Sequence, residues 1–204
     1  MISLKNKLTL VVIGRSGCGK GTQAKFMLER LRPHGVFHME TGRFLREILE
    51  KKNITTELAR KRIMERGELF PWWFPMFLWS REIIEHGEAN QHIVGDGTPR
   101  RIFEAKFLDD VMAWHDRSLP IAVYIDIREK IAAQRLMGRG RADDNIAAIR
   151  NRMKFFPKDV LPVIRYYRKK DRLIRVDGTA DPETIWRDID KALAKKLGRQ
   201  WPRA

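Results

Sequence analysis

The apolar residues 8–13 lead directly into Gly14-Arg15-Ser16-Gly17-Cys18-Gly19-Lys20-Gly21-Thr22, and the prediction of the fold rests on this segment. A buried strand, a glycine-rich turn and a helix in this order are the context of a phosphate-binding loop. The glycines let successive backbone N–H groups turn inward around an anion, and the following helix presents its positive end to the phosphates. In such a loop we expect Lys20 to bridge the β and γ phosphates and Thr22 to help hold the metal-bound end.

This loop alone indicates only nucleotide binding, because motors, GTPases and kinases share it. The alternative is a glycine-rich turn in which the lysine is incidental. Cys18 is most simply a small residue that fits the turn, with a reactive thiol as the alternative. The residues expected to bind ATP here are Ser16, Gly17, Cys18, Gly19, Lys20, Gly21 and Thr22.

Five short runs rich in β-branched and aliphatic residues predict strands, at 8–13, 36–39, 91–94, 121–127 and 173–176. Several are apolar on both faces, as buried parallel strands are. Helical patterns lie between them, such as Ala24, Met27, Leu28 and Leu31 at steps of three and four. Strands that alternate with helices predict an α/β fold with three layers, α/β/α, around a five-stranded parallel sheet.

Composition and charge limit the class of protein. The 204 residues are 43% hydrophobic, which predicts one compact domain over 1–204. The longest apolar run is far shorter than the ~20 residues of a membrane helix, and no charged leader precedes it, so we expect a cytoplasmic protein. The single cysteine, Cys18, excludes an intrachain disulfide and a multi-cysteine metal site. The net charge of +15 fits nucleotides, nucleic acids or acidic partners, although a solvated face is the simpler interpretation.

Gly-Lys-Gly-Thr-Gln at positions 19–23 places Gly where many phosphate loops have Ser or Thr directly after Lys, and in this it resembles the adenylate kinase family. Later segments resemble that family's motifs in the same order, over nearly the whole chain. They are Glu40-Thr41-Gly42-Arg43-Phe44-Leu45-Arg46, Gly67-Glu68-Leu69-Phe70-Pro71, Asp96-Gly97-Thr98-Pro99-Arg100, Gly140-Arg141-Ala142-Asp143-Asp144 with the downstream Arg152, and Val176-Asp177-Gly178-Thr179.

The resemblance implies a monomeric nucleoside monophosphate kinase that moves the γ-phosphate of MgATP onto a nucleoside monophosphate, AMP being the first choice. Arginines suit this chemistry, because their planar fork binds phosphate oxygens and keeps its charge. The implied roles are catalysis by Lys20, Arg100, Arg141 and Arg152; ATP binding by the loop with Arg135, Arg139 and Gly178; monophosphate binding by Thr41, Arg46, Glu68, Leu69, Phe70, Gly97, Arg100 and Glu104; and binding of Mg²⁺ by Thr22 and, through water, by Asp96. Asp143 and Asp144 would orient the neighbouring arginines and position the lid. Helix capping is the alternative role for these two residues and for Asp96.

The lid that folds over ATP in this family is nearly absent from the sequence. It is reduced to about 136–141, where only Gly140 separates Arg139 from Arg141. Lid closure excludes water from the reacting phosphates. We therefore expect either some ATP hydrolysis without an acceptor or another closing element.

The monophosphate-binding segment, about 41–70, and the acceptor-base residues also depart from the family pattern. Arg43 replaces an Asp, Thr98 replaces an aromatic residue, and Glu104 replaces the Gln that contacts adenine. An ionised carboxylate accepts hydrogen bonds but donates none, so it suits guanine or cytosine better than adenine. Thr41, in contrast, resembles the residue of the adenine type.

Other functions remain open at this stage. The alternatives are a kinase for GMP or a pyrimidine monophosphate, a kinase for a non-nucleotide acceptor, and a nucleotide-dependent RNA- or ribosome-binding protein with weak ATPase activity. The aromatic residues 70–79 predict a helix packed on the sheet, with a base-stacking wall or a partner surface as the alternative.

Overall fold

The protein is described by a computed structural model at residues 7–66, 68–88, 90–140 and 145–202, with the backbone alone for Arg46 and Met64. Its strands are β1 (Thr9–Gly14), β2 (Val36–Glu40), β3 (His92–Asp96), β4 (Ile121–Asp126) and β5 (Leu173–Asp177). They form one sheet in the order β2-β3-β1-β4-β5, and every neighbouring pair is parallel. The predicted α/β fold and the five predicted strands are confirmed.

Helices connect the strands and follow them along the chain. They are α1 (Lys20–Leu31), α2 (Thr41–Leu49), α3 (Ile54–Ala59), α4 (Trp73–His86), α5 (Ile102–Trp114), α6 (Glu129–Arg139), α7 (Ile146–Phe155), α8 (Leu161–Lys169) and α9 (Pro182–Leu197). A π-helical turn, Phe156–Val160, joins α7 to α8, and another, Arg60–Met64, follows α3. Within the described ranges, none of the helices combines the length and the apolar character needed to cross a bilayer.

Two apolar clusters, one on each face of the sheet, form the core. The first packs α1, α6, α7 and α9 through residues such as Met27, Leu136 and Ile189. The second packs α2, α4, α5 and α8 through residues such as Leu78 and Leu108. Because helices cover both faces, β1 is buried along its whole length, and its sequence is apolar at Leu10–Ile13, after a buried Thr9. This is the predicted three-layer arrangement.

The strand order reverses at β1, which has β3 on one side and β4 on the other. In open parallel sheets, ligands bind in the crevice beyond the carboxyl ends of the strands at such a point. Gly14 ends β1 and Asp96 ends β3, so the glycine-rich loop and the Asp96–Arg100 turn emerge side by side at that edge. The fold thereby brings together two motifs that lie more than 70 residues apart in the sequence.

Candidate active site

The phosphate loop turns tightly between β1 and α1. Gly17 and Gly19 have φ angles of 85° and 95°, in the left-handed region that favours glycine. A Cβ atom on Gly17 would lie 2.5 Å from the carbonyl oxygen of Ala132 on α6, so no larger residue fits there. No side chain caps the start of α1, and its first turn contains no acidic residue. The unpaired backbone N–H groups of that turn are therefore available to an anion.

The Lys20 side chain folds back over this loop. Its ammonium donates hydrogen bonds to the carbonyl oxygens of Arg15 at 2.9 Å and of Gly14 at 3.2 Å. Cys18 lies fully buried beside it, and burial raises the pKa of the Cys18 thiol. A protonated, inaccessible thiol is a poor nucleophile, which favours the interpretation of Cys18 as a small residue that fits the turn.

Asp96 lies beside the first turn of α1. A Cβ atom on Gly21 would be 3.1 Å from the Asp96 Oδ2 atom, and the exposed Thr22 is the next residue of that turn. Burial raises the pKa of Asp96, while the charges of Lys20 and Arg100 lower it. Neither α1 nor α5 is capped by a side chain, so helix capping does not explain Asp96. A carboxylate and a hydroxyl beside a phosphate site fit a hydrated Mg²⁺ ion.

Arg100 lies on the opposite wall of the same cleft. Its Nε atom donates a hydrogen bond to the Gly97 carbonyl oxygen at 2.9 Å. Burial lowers the pKa of Arg100, the charges of Glu104 and Asp96 raise it, and the charge of Arg152 lowers it further. The cleft is lined by Gly14, Ser16 and Lys20 on one side and by Gly97, Pro99 and Arg100 on the other.

A phosphate loop that faces an arginine-bearing turn is the arrangement for transfer between two phosphates, and the sequence of the chain agrees with it. Residues 12–172 match the family model described as adenylate kinase. The chain belongs to the adenylate kinase family. It is therefore a phosphotransferase whose acceptor is a phosphate group.

Relatives named as adenylate kinases resemble this family member over most of its length. It is 33% identical to adenylate kinase 1 of Synechocystis sp. over 184 residues, which cover 89% of this chain and 95% of the relative. It is 31% identical to adenylate kinase of Prochlorococcus marinus over 193 residues, covering 94% and 100%. For adenylate kinase of Thermotoga petrophila the identity is 32% over 213 residues, covering 89% and 95%. That last alignment exceeds the 204 residues of this chain, so the Thermotoga protein contains residues that this chain lacks.

Thr41 and Gly97, two residues expected to bind the monophosphate, lie against each other in this adenylate kinase family member. Thr41 begins α2 and is 4% exposed, and its buried hydroxyl oxygen has no hydrogen-bond partner among the described residues. A Cβ atom on Gly97 would lie 3.8 Å from the Thr41 Cβ atom. Leu69 and Phe70 are half-buried and Glu68 is exposed, while the Arg46 side chain lies outside the described part of the chain.

Glu104 is buried at the start of α5, where it stabilises the turn that carries Arg100. Its Oε2 atom accepts hydrogen bonds from the Arg100 backbone N–H at 2.7 Å and from the Thr98 hydroxyl at 3.2 Å. Burial raises the pKa of Glu104, and its hydrogen bond and ion attraction to Arg100 lower it. This carboxylate therefore has a structural role at the site, in addition to the base contact expected from its position in the motif.

Arg135 on α6 braces the loop that follows β5. Its guanidinium donates hydrogen bonds to the carbonyl oxygens of Gly178 at 2.8 Å and Thr179 at 3.2 Å. Arg139 is exposed at the end of α6, and Gly140 ends that helix with a φ of 67°. Arg141, Asp143 and Asp144 lie outside the described residues. Asn145 caps α7, accepting a hydrogen bond from the Ala148 N–H at 2.8 Å.

Two arginines that the motifs do not predict tie the site together. Arg101 donates hydrogen bonds to the Phe70 carbonyl oxygen at 2.8 Å and to the Asp159 carboxylate at 3.1 Å, joining the acceptor segment to the Phe156–Val160 turn. Arg15 lies over the Phe156 ring at 3.9 Å and pairs with Glu129 at 3.4 Å. The sequence contains no signal that would distinguish them from surface arginines, because their partners are distant along the chain.

Proposed function

We propose that this chain transfers the γ-phosphate of MgATP to AMP and forms two molecules of ADP. The observation that supports this proposal is the single cleft between the phosphate loop with Lys20 and the turn with Arg100. A nucleotide-dependent RNA-binding switch needs the loop but has no use for an arginine that holds an acceptor phosphate. The switch is therefore not favoured.

In the proposed reaction, an oxygen of the acceptor phosphate attacks the γ-phosphorus of ATP. The bond from that phosphorus to the bridging oxygen breaks, and ADP leaves. The attacking oxygen is already ionised near neutral pH, so the reaction needs no general base. Catalysis then depends on alignment and on stabilising charge, with Lys20 on the β and γ phosphates and Arg100, with Arg46, on the acceptor. Arg152, with Arg139 and Arg141, would surround the transferred group.

We assign the Mg²⁺ of MgATP to the space beside Asp96 and Thr22. A Mg²⁺ ion held there would supply positive charge that neutralises the phosphates of ATP. The half-buried Asp96 carboxylate would hold it through water molecules, which Mg²⁺ gives up reluctantly.

We expect Asp96→Asn to weaken the use of Mg²⁺ while preserving the shape of the site. Loss of a carboxylate that holds metal-bound water reduces metal affinity by about 10- to 100-fold. The Mg²⁺ concentration that gives half of the maximal rate should rise by a comparable factor, measured by titrating Mg²⁺ at fixed ATP. Asp110→Asn, an exposed carboxylate on α5, is the matched control. An unchanged Mg²⁺ requirement in Asp96→Asn would contradict this assignment.

We further propose that residues 41–70 form the monophosphate-binding segment, that 136–141 form a minimal lid, and that α7 supplies the missing closure. Two side chains of α7 and its cap reach the end of the monophosphate-binding segment. Asn151 donates a hydrogen bond to the Arg66 carbonyl oxygen at 2.7 Å, and Asn145 donates one to that of Glu65 at 3.4 Å. Arg152 is the next residue of α7, so closure along this contact would bring it over the transferred phosphate.

Glu104→Gln should change how stability depends on pH. Because burial raises the pKa of Glu104 in the folded protein, its protonated form is favoured by folding. Stability from this group is full below the ordinary Glu pKa and is lost as the pH rises through the folded value. The variant lacks this loss, so its free energy of unfolding in urea titrations should rise relative to that of the wild type as the pH increases past the ordinary Glu pKa. Glu29→Gln, on the exposed face of α1, should follow the wild type. Parallel curves for Glu104→Gln and wild type would refute the prediction.

The decisive test of the proposed function is ADP formation from MgATP with AMP, GMP, CMP, UMP and the deoxynucleotides as acceptors, alongside simple phosphorylated alcohols. We expect AMP to give the highest kcat/KM. A preference for GMP or CMP would mean that the acceptor base is one that donates hydrogen bonds to a carboxylate. Hydrolysis of ATP at the same rate with and without acceptors would overturn the proposal.

A further inference from the structure

An apolar groove runs along α4 on the outside of the molecule, on a side of that helix that does not face the sheet. We call it the α4 groove, and its main residues are Trp72, Trp73, Met76, Phe77, Ile84 and Phe107. The opposite side of α4 supplies core residues such as Leu78 and Trp79, both fully buried. α4 is thus apolar on two sides, which is typical of a helix with neighbours on both. Among the described residues, α2, α5 and β2 contact α4, and they leave the side with the groove exposed.

The α4 groove, with the adjoining Phe103, exposes as much apolar surface as one partner contributes to a standard protein–protein interface. Trp72, Trp73 and Phe77 are 49%, 50% and 57% exposed, and Phe103, against Trp72, and Ile84 are 61% and 76% exposed. Since a buried aromatic side chain covers 150–250 Å², these residues present about 500 Å² of apolar surface. A standard interface buries about 800 Å² on each partner, of which up to about 65% is apolar in homodimers. The two amounts agree.

The charges along the groove are balanced, which argues against a polyanion as its occupant. Arg81 is the basic residue among those that line it, and it pairs with Glu82 at 2.9 Å and with Glu85 at 3.5 Å. A nucleic-acid stacking surface needs unpaired positive charge beside its aromatic residues. Aromatic residues, Met and Arg are instead the residue types that are enriched in protein–protein interfaces.

We infer that the α4 groove is the interface of a homodimer in which it covers the same groove of a second copy. In a two-fold dimer the same surface is used by both copies. If one residue contacts a second residue of the other copy, the second residue contacts the first in the same way, so the surface must be complementary to itself. Antiparallel α4 helices about an axis near Ser80 would set Phe77 against Ile84 of the second copy at both ends. Arg81 and Glu85, opposite charges on one helix, would remain at the rim. The resemblance that predicts a monomer rests on the nucleotide-site motifs, and none of the residues of this groove belongs to them.

The net charge gives this dimer an unusual dependence on salt. Each copy carries +15, so two copies repel each other until salt screens them. The screening length falls from about 10 Å at 0.1 M to about 3 Å at 1 M, whereas apolar burial does not weaken. Dimerisation should therefore tighten as salt is raised, while binding of nucleic acid to the same groove would weaken.

The test is sedimentation equilibrium of the full chain at 1–100 µM protein, in 0.1 M and 0.5 M NaCl. We expect a dimer with a dissociation constant in the micromolar range or tighter, at least several-fold tighter at the higher salt. Ile84→Glu, at a position already 76% exposed, should raise the dissociation constant by about 100-fold or more without loss of kinase activity. Trp114→Glu is the matched control, because this side chain is 85% exposed at the end of α5 and outside the groove.

A wild-type protein that remains monomeric at 100 µM in both salts would overturn the inference. A dimer that survives both Ile84→Glu and Phe77→Ser would overturn it as well, since the interface would then lie elsewhere. A single-stranded oligonucleotide that quenches tryptophan fluorescence in the wild type, less at high salt and not in Ile84→Glu, would reassign the groove to nucleic acid. Because the kinase assay is run on every variant, failure of the proposed function is seen separately from failure of the dimer.

Discussion

Lys20→Ala should lower kcat by about 10³-fold or more, the largest loss that we expect from any single change. The ammonium is held over the loop by the Arg15 and Gly14 carbonyl oxygens, so it is in place before ATP arrives. Positive charge that is already positioned stabilises the charge of the transition state without reorganisation, and one such group is worth about 10³- to 10⁵-fold in related phosphoryl transfers. Initial rates of ADP formation at saturating AMP measure the effect.

Lys25→Ala is the matched control for this prediction. Lys25 lies on the same helix, is exposed, and has the same charge, but it faces away from the loop. It should retain the wild-type kcat within a factor of about two, since surface substitutions away from a site have small effects. A loss of less than 10-fold in Lys20→Ala would mean that the loop binds ATP without contributing to transfer.

The fold could be predicted from the sequence because its signals are local. A largely apolar strand such as β1 is recognisable within a few residues, and the glycines of the phosphate loop are required by φ angles and by the close approach of Ala132. The same holds for the boundary of α9, where Asp181 caps a helix that begins with Pro182.

The site was predictable only as far as its motifs reach. Arg100 and Asp96 were found because they lie within one short motif, whereas the partners of Arg101 and Arg15 come from segments that only the fold brings near. Glu104 illustrates a different limit. Its type and position predict a contact with the acceptor base, but its hydrogen bonds to Thr98 and Arg100 depend on the shape of the turn.

The exposure of one side of α4 could not be predicted from the sequence either. The aromatic residues 70–79 predict a helix packed on the sheet, which the burial of Leu78 and Trp79 confirms. Which of the remaining aromatic residues stay exposed depends on where the neighbouring helix α5 lies. That information is absent from the local sequence.

Arg100→Ala should have the second-largest effect, and it should act through the acceptor. Arg100 is half-buried and its guanidinium is held by the Gly97 carbonyl oxygen, so it presents a preformed fork to a phosphate. We expect kcat/KM for AMP to fall by about 10³-fold while the affinity for MgATP is little changed, measured by steady-state kinetics and by titration with a fluorescent ATP analogue. Arg100→Lys should recover only a small part, because lysine lacks the fork. Lys106→Ala, an exposed positive charge on α5, is the matched control.

A double variant of Arg100 and Arg152 tests this prediction most sharply. The charge of Arg152 lowers the pKa of Arg100, and a phosphate bound by both guanidinium groups would relieve this repulsion. If both contact phosphates of one transition state, removing the second arginine costs less once the first is gone. The rate loss of the Arg100→Ala, Arg152→Ala double variant should then be smaller than the product of the two single losses. If the two rate losses multiply, the arginines act on separate steps, and Arg152 would no longer be assigned to the transfer site.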